Sequence, residues 1–319
     1  MNINNYIIKK RYNGSNTSIA MKEIYTQSVR QSTKLVTKTS PSECTNNKDG
    51  VCCSNKLIKD ISKFIKDMGY NDIDHPEKVI DVAKKELKCD SESCVLKHPK
   101  ISKYISDDKQ LKQELAINFK TEGPRNSTKL LSNFNIDNTL LLWAREYTTF
   151  YPCPFSMIDF NIYSNQFSQI NLKDMYNGMD YYVDPIYGKI QKKFNCFACV
   201  LNTDVSSGKG KHWVCVFVDM RSKTKPWTIE YFNSTGNPPC SAVVNWMEQQ
   251  RYNLLEIYKN IETISVTTLV HQYSMTECGL YSLYYIRARL DNTPYTFFIT
   301  NSISDNLMVE FRKHVFRNH

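Results

Sequence analysis

The segment Trp213 to Met220, with the sequence WVCVFVDM, restricts the possible folds of this chain more than any other feature. Its apolar side chains occupy both alternating sets of positions, whereas a strand with one solvated face would alternate apolar and polar residues. A strand of this kind must be covered on both faces. The sequence therefore predicts a sheet that has this segment near its centre.

The elements that follow supply the packing partners of this strand. Trp227 to Phe232 and Ile264 to Val270 are predicted to be strands. Ala242 to Tyr258 and Cys278 to Leu290 have apolar residues near helical spacing, which predicts two helices. The expected order from the central strand onwards is strand, strand, helix, strand, helix.

Three further elements are predicted before the central strand. Asn135 to Tyr147 is expected to form a buried helix that Asp137 or Asn138 could cap. Tyr182 to Ile190 and Phe197 to Thr203 are predicted to be strands. Together with the later elements they predict a domain of helices and strands over residues 124–319.

The chain before residue 124 differs in composition. Residues 1–40 are rich in Asn, Ser, Thr and Lys and have no sustained apolar period, so we expect a mobile polar tail. Residues 41–123 are predicted to form a small, Lys-rich helical domain that ends near Gly123. Apolar residues recur at helical spacing in three segments: Ser54 to Met68, Pro76 to Leu87 and Lys109 to Phe119.

The formal net charge is +9, and the excess lies mainly in the first 120 or so residues. These lysines are interleaved with acidic residues, so a solvated surface is the simplest interpretation, and nucleic-acid contact stays open. The sequence has no run of 18 apolar residues and no signal-peptide pattern. We therefore expect a soluble protein that is not secreted and does not insert into a membrane.

The eleven cysteines are predicted to be reduced, because their number is odd and the chain is too long for a disulfide scaffold. Cys196 and Cys199 have the spacing of zinc ligands, with the Cys52-Cys53 pair or Cys89 and Cys94 as conceivable partners. No second C-x2-C or suitably spaced histidine pair accompanies them. We therefore interpret Cys196 and Cys199 as small apolar core residues and expect no metal or organic cofactor.

One cysteine has the setting of a nucleophile. Cys278 lies between Glu277 and Gly279, where a loop is predicted to become a helix. The dipole and free N–H groups of a helix N-terminus stabilise a thiolate, and such placement can lower the pKa of a thiol from about 8.5. A cysteine hydrolase also needs a base, a group that orients the base, and donors to the oxyanion.

The base is sought among six histidines: His75, His98, His212, His271, His314 and His319. Two of these precede prolines and two lie at the end of the chain. His271 follows its predicted strand, so we expect a neighbour of the site there. His212 directly precedes the central strand, where a rigid scaffold can present a catalytic group.

Two amide side chains complete the candidate site. Asn233 follows the next strand and could accept a hydrogen bond from the Nδ1–H of His212, although a turn asparagine is nearly as good an interpretation. Gln272 precedes Cys278 by six residues and could donate to an oxyanion. Cys278, His212, Asn233 and Gln272 together predict a cysteine protease.

Several segments resemble the SUMO- and adenovirus-type cysteine proteases, and most closely the polyprotein-processing proteases of African swine fever virus and its relatives. They are GKHWVCVFVDM, IEYFNSTGN, TECGLYSLYYIRARLDN, GPRNSTKLLSNFNIDNTL, CPFSMIDF and CDSESCV. The similarity extends from about Ser40 to the C-terminus. It implies an α+β, papain-like core of the SUMO-protease type, with a central mixed sheet and a catalytic helix, preceded by an all-helical arm domain.

The resemblance also implies roles for particular residues. His212, Asn233 and Cys278 match the catalytic triad, and Gln272 matches the oxyanion glutamine by its six-residue spacing. Some relatives carry another glutamine three residues before the cysteine, where this chain has Met275. Trp213 corresponds to a tryptophan that walls a narrow channel for two glycines, and a core anchor is its alternative interpretation.

The implied activity is cleavage of viral structural polyproteins after the second glycine of Gly-Gly-x sites during virion maturation. The implied locations are viral assembly sites in the host cytoplasm and the virion core, where the basic arm could weakly contact nucleic acid or the core shell. Two alternatives stay open. One is a host-directed deubiquitinase or deSUMOylase, and the other is a non-catalytic virion scaffold that uses its basic arm.

Overall fold

The computed structural model describes Cys44 and residues 50–105, 107–126 and 128–317. The tail predicted over residues 1–40 lies outside these described residues. Two hydrophobic clusters organise the described chain, one formed between Cys44 and Phe119 and the other between Leu131 and Phe316. We refer to them as the arm and the core.

The arm is built from short helices. They are α1 (Asn55–Asp67), α2 (Pro76–Leu87), α3 (Glu92–Lys97), α4 (Pro99–Ser102) and α5 (Asp108–Ile117). The Ser54 side chain caps α1 by accepting a hydrogen bond from the N–H of Leu57. The three predicted helices are confirmed as α1, α2 and α5, whereas α3 and α4 are too short to show a helical period in the sequence.

Two disulfides in the arm contradict the prediction that all cysteines are reduced. Cys44 pairs with Cys52 and Cys89 pairs with Cys94, with Cα–Cα distances of 5.1 and 5.5 Å. Both Cα–Cα distances lie within the range that a disulfide requires, although the two pairs are separated by only 8 and 5 positions in the sequence. The other seven cysteines are free, and Cys240 alone among these seven is exposed.

The strands are listed here in chain order. They are β1 (Thr121–Glu122), β2 (Phe150–Pro152), β3 (Ser156–Met157), β4 (Tyr181–Asp184), β5 (Gly188–Gln191), β6 (Cys196–Asn202), β7 (Trp213–Asp219), β8 (Trp227–Phe232), β9 (Ile261–Val266) and β10 (Phe316–Arg317). The main sheet has the order β2-β6-β7-β8-β9, and β3 also pairs with β6. β7 is antiparallel to both of its neighbours, β6 and β8, while β2 pairs in parallel with β6 and β9 in parallel with β8. The predicted central position of Trp213 to Met220 and the mixed sheet are confirmed.

The helices of the core cover this sheet. They are α6 (Asn133–Glu146), α7 (Gln166–Gln169), α8 (Leu172–Asn177), α9 (Ser241–Leu254), α10 (Cys278–Leu290), α11 (Thr296–Thr300) and α12 (Asp305–Val315). Helix α10 packs against β7, and every residue of α10 is buried. The predicted order from β7 onwards is confirmed, so the fold is of the α+β class.

Three element boundaries differ from prediction. Helix α6 starts earlier because Ser132 caps it in a reciprocal capping box with Asn135, and Asp137 instead accepts a hydrogen bond from the N–H of Phe155. The segment predicted as one strand over 182–190 is a hairpin of β4 and β5. The third strand covers 261–266 rather than 264–270, because it aligns with β8 from Trp227 onwards.

The chain end returns to the junction between arm and core. β10 pairs in parallel with β1, and the ring of Phe316 lies against Gly123 so closely that a Cβ at this glycine would be 2.4 Å from Cδ1. A glycine is therefore required at the end of the arm. Within the described residues, no helix combines the length and apolar character that crossing a membrane would need.

An ion pair joins α10 to the sheet. The guanidinium of Arg289 donates from Nε and Nη2 to the two carboxylate oxygens of Glu230, both at 2.8 Å. The hydroxyl of Tyr285 donates to the same carboxylate at 2.6 Å. Because Glu230 is fully buried, its charge depends on these partners.

We predict that Arg289→Met lowers the free energy of unfolding by about 3 to 5 kcal/mol, because it leaves a buried carboxylate without its cation. Arg251→Met is the matched control, since Arg251 forms an exposed 3.8 Å pair with Glu248, and it should cost less than about 1 kcal/mol. Urea unfolding at pH 7 measures both changes. Equal costs for the two variants would contradict the importance of the buried pair.

Candidate active site

The antiparallel pairing of β7 and β8 brings two polar side chains together. Cys215 in β7 is opposite Phe232 in β8, so the start of β7 lies beside the end of β8. His212 directly precedes β7 and Asn233 directly follows β8. Their side chains meet, with 2.9 Å between Nε2 of His212 and Oδ1 of Asn233.

The orientation of the Asn233 amide is fixed by its other partners. Oδ1 accepts from the backbone N–H of Thr235 at 3.1 Å and from its hydroxyl at 2.9 Å. Nδ2 donates to the backbone oxygen of Asn237 at 3.1 Å. An N–H can only donate and a carbonyl can only accept, so the atom that faces His212 is the amide oxygen.

This orientation determines the tautomer of His212. Because Oδ1 of Asn233 is an acceptor, Nε2 of His212 carries the hydrogen, and Nδ1 keeps the lone pair that can take up a proton. The prediction of contact between the two residues is confirmed. The predicted ring nitrogen is wrong, since Nε2 rather than Nδ1 faces the asparagine.

Cys278 occupies the first position of α10, as predicted, and is buried. Burial raises the pKa of its thiol, whereas hydrogen bonds from the backbone amides of Trp213, Gly279 and Cys278 itself lower it, and Glu277 raises it further. The amides at the helix N-terminus act in the predicted direction, but burial outweighs them, so the net direction is upward. The thiol therefore needs a nearby base to become a thiolate at neutral pH.

The amide of Trp213 connects the two halves of the site. It belongs to the residue that follows His212, and it reaches the sulfur of Cys278 at the start of α10. The thiol and the imidazole are thus presented by the same end of the central strand. This arrangement supplies a nucleophile, a base in a defined tautomer and a group that orients the base, which are the parts of a cysteine hydrolase.

The indole of Trp213 is held between the core and the chain that leads from β1 to α6. Its N–H donates to the backbone oxygen of Leu131 at 3.1 Å, and its ring meets Phe155 edge to face. A Cβ on Gly279 would lie 3.2 Å from the indole and from the Leu131 side chain. Gly279 thus allows α10 to approach Trp213, which is buried with 8 % of its surface exposed.

Gln272 is buried near the same edge of the sheet. Its Oε1 accepts from the hydroxyl of Ser234 at 2.7 Å, and its Nε2 donates to the backbone oxygen of Ser274 at 2.9 Å. One N–H of the amide is engaged in this way, and a second N–H belongs to the same nitrogen. Met275 is 88 % exposed, so its side chain does not take the place of a buried glutamine.

The other residues considered from the sequence have structural positions. Nδ1 of His271 accepts from the N–H of Ile303 at 3.1 Å in the core. The backbone N–H of His271 donates to the oxygen of Ser234, the residue after Asn233, so His271 lies near the candidate site. Cys196 and Cys199 are buried in β6, whereas Cys89 is bonded within the arm. The predicted role of Cys196 and Cys199 as small core residues agrees with their burial.

Sequence reasoning missed three residues that support the site. Thr235 fixes the amide of Asn233 with two hydrogen bonds, and Ser234 holds Gln272. The signal was present, because the hydroxyl residues directly follow Asn233. Leu131 was also missed, since nothing in its local sequence shows that its carbonyl receives the indole of Trp213.

Residues 155–319 match the family described as the Ulp1 protease family, C-terminal catalytic domain. This match includes more than half of the chain and contains His212, Asn233 and Cys278. The chain belongs to this family and is a cysteine protease.

Viral cysteine proteases are similar to this chain over most of its length. A cysteine protease of African swine fever virus is 47 % identical over 283 residues, which cover 87 % of this chain and 96 % of the viral protein. The protein from another isolate, with the same identity and coverage, is named a SUMO-1 cysteine protease. The crystal structure of the African swine fever virus protease superposes with a TM-score of 0.76 at 44 % identity, covering 88 % of this chain and 97 % of that chain. The resemblance inferred from the short motifs is confirmed.

We predict that His271 makes stability pH-dependent. Burial lowers its pKa from 6.5 to about 4, despite a hydrogen bond to the backbone of Phe298. As the pH falls from 6.5 towards 4, the unfolded chain binds a proton that the folded chain excludes, so up to about 3 kcal/mol of stability is lost. His271→Gln removes the titrating group and keeps an acceptor for Ile303.

Urea unfolding of both proteins at pH 7 and pH 4.5 checks this prediction. The comparison between the two proteins cancels the carboxylates that titrate in both. The wild type should lose more stability than the variant over this interval. Equal losses would contradict a neutral, buried His271.

Proposed function

We propose that this chain is an endopeptidase in which Cys278 is the nucleophile, His212 the general base and acid, and Asn233 the group that orients His212. The observation that carries the proposal is the hydrogen bond between His212 and Asn233 at the start of β7. The backbone amide of Trp213, the residue after His212, forms a hydrogen bond with the sulfur of Cys278. Gln272, together with the amide of Cys278, is proposed to donate to the oxyanion.

The proposed reaction has two halves. Nδ1 of His212 takes the thiol proton as the sulfur of Cys278 attacks the scissile carbonyl, and the imidazolium then protonates the leaving amine as the C–N bond breaks. Water, deprotonated by His212, next attacks the thioester and releases the carboxyl product and the thiol. Because burial raises the pKa of Cys278, stabilisation of the thiolate by the adjacent imidazolium is central to this scheme.

The proposed substrates are viral structural polyproteins cut after the second glycine of Gly-Gly-x sites during virion maturation. Support comes from the viral relatives and from Trp213 beside Cys278. A flat indole against a substrate backbone leaves no room for a Cβ and so favours glycine. The proposed locations are viral assembly sites in the host cytoplasm and the virion core.

A second candidate activity is removal of ubiquitin-like proteins, which also end in Gly-Gly. It is supported by the name of one relative, which is called a SUMO-1 cysteine protease. A non-catalytic scaffold that binds nucleic acid through the arm is less compatible with the site, because a binding module does not need a base in a fixed tautomer. Steeply salt-dependent nucleic-acid binding by a protein without thiol reactivity would favour the scaffold.

We predict that Cys278→Ala and His212→Ala reduce cleavage of a Gly-Gly-x peptide to the background rate, while the fold measured by circular dichroism is kept. Asn233→Ala should lower kcat/KM by roughly 10²-fold, because the imidazole loses the bond that fixes its tautomer. Cys240→Ala is the control, since this thiol is exposed, and it should cleave normally. Retained cleavage by the Cys278→Ala protein would remove the proposal.

We predict that the enzyme requires glycine directly before the scissile bond. A linear Gly-Gly-x peptide should be cleaved, and replacement of its second glycine by alanine should lower kcat/KM by about 10²-fold or more, because a Cβ must displace packed atoms. The same enzyme is tested against ubiquitin and SUMO joined through an isopeptide bond. Faster turnover of either conjugate than of the linear peptide would favour the deconjugase over the polyprotein protease.

A further inference from the structure

A buried pair of opposite charges lies beside the nucleophile. Glu277 directly precedes Cys278, and its side chain is 3 % exposed. The guanidinium of Arg312, in α12, approaches it with 3.6 Å between Nη2 and Oε1, and the Arg312 side chain is 2 % exposed. Oε1 of Glu277 also accepts from the hydroxyl of Thr276 at 2.7 Å, while Oε2 accepts from the hydroxyl of Ser274.

The contacts of Arg312 are uneven. Its Nη1 donates to the backbone oxygens of Lys129 at 2.8 Å and of Pro124 at 3.3 Å. Its Nη2 has no hydrogen-bond partner within the described structure and faces Glu277 through charge alone. A buried donor without a hydrogen bond costs desolvation free energy, and an apolar residue at this position would avoid that cost. Packing alone therefore does not explain an arginine here.

The carbonyls that Arg312 holds belong to the chain between β1 and α6. Two residues beyond Lys129, the carbonyl of Leu131 receives the indole N–H of Trp213, and its side chain borders Gly279. Arg312 therefore touches the site in two ways. It supplies a positive charge next to Glu277, and it fixes the chain that leads to the residues packed on Trp213.

Electrostatics gives these contacts a consequence for the thiol. A carboxylate one residue away disfavours formation of a thiolate, and a cation that neutralises the carboxylate removes that penalty. Among the described residues, the charges that act on Cys278 include Glu277, which directly precedes it, and Arg312 from α12. His212 directly precedes Trp213, whose backbone amide forms a hydrogen bond with the sulfur. Burial lowers the pKa of Arg312, whereas the charges of Glu277 and Cys278 raise it, which places the guanidinium within electrostatic range of the sulfur.

We propose that Arg312 is a positioning residue for the protease reaction, which offsets the charge of Glu277 so that Cys278 can ionise and which holds the chain before α6 against Trp213. The inference rests on the proposed role of Cys278 as the nucleophile. It is tested by the reactivity of the thiol itself, which requires no substrate, so its failure is distinguishable from failure of the proposed function.

The experiment measures the rate of iodoacetamide alkylation of Cys278 against pH. Cys240→Ser serves as the background, because Cys240 is the exposed free thiol, and mass mapping identifies the modified residue. The variants are Arg312→Gln, Glu277→Gln and the double variant. Arg287→Gln is the matched control, since Arg287 is a buried arginine on α10 that pairs with Glu146 at 2.7 Å.

We expect Arg312→Gln to raise the midpoint of the alkylation profile by about one pH unit and to lower kcat/KM about tenfold at pH 7, as the thiolate fraction falls. Glu277→Gln should move the midpoint downwards, and the double variant should return it towards the starting value. Arg287→Gln should leave the midpoint in place. These opposed shifts would not arise from destabilisation alone.

Two results would overturn the proposal. One is a midpoint that stays unchanged in Glu277→Gln, which is decisive even if Arg312→Gln does not fold. The other is an equal upward shift of the alkylation midpoint in Arg312→Gln and Arg287→Gln, which would mean that destabilisation of α10, rather than the charge of Arg312, causes the shift. Arg312→Lys provides a further check, because it keeps the charge and should keep the midpoint while it loses contacts to Pro124 and Lys129.

Discussion

The pairing of β7 with β8 is the constraint on which the site depends. Its register places the residue before one strand beside the residue after the next, and the 2.9 Å contact between His212 and Asn233 follows from it. A slip of one residue would turn each side chain to the opposite face of the sheet. Burial of both strands on both faces makes such a slip costly, so the hydrophobic core and the alignment of His212 with Asn233 have the same physical origin.

Helix α10 shows how a buried helix can carry polar chemistry at both of its ends. Near its C-terminal end, Arg289 neutralises Glu230. At its first residue, the pKa of Cys278 is lowered by the amide of Trp213 and raised by the carboxylate of Glu277. A helix that is buried on all sides cannot rely on water to solvate these groups, so each requires a protein partner. The proposed nucleophile thus lies on a helix of which every residue is buried.

The sequence predicted what depends on local pattern. The all-apolar strand and the helix that begins at Cys278 follow from hydrophobic period and position, and the short motifs around His212 and Asn233 identified the family. The sequence did not predict what depends on three-dimensional detail. The nitrogen of His212 that faces Asn233 is set by the amide orientation that Thr235 imposes, and burial reverses the direction expected for the pKa of Cys278. The disulfides of the arm depend on which cysteines approach each other in space, which composition does not encode.

The contacts of Arg312 also bear on how the enzyme reaches its active form. The guanidinium bonds to carbonyls 188 and 183 residues away in the chain, so these partners meet only after most of the intervening polypeptide has found its place. Closing such long loops is entropically slow and becomes favourable only once many other interactions form. We therefore expect the surroundings of Cys278 to assemble late in folding, after the cysteine itself is already part of the chain's partly folded forms.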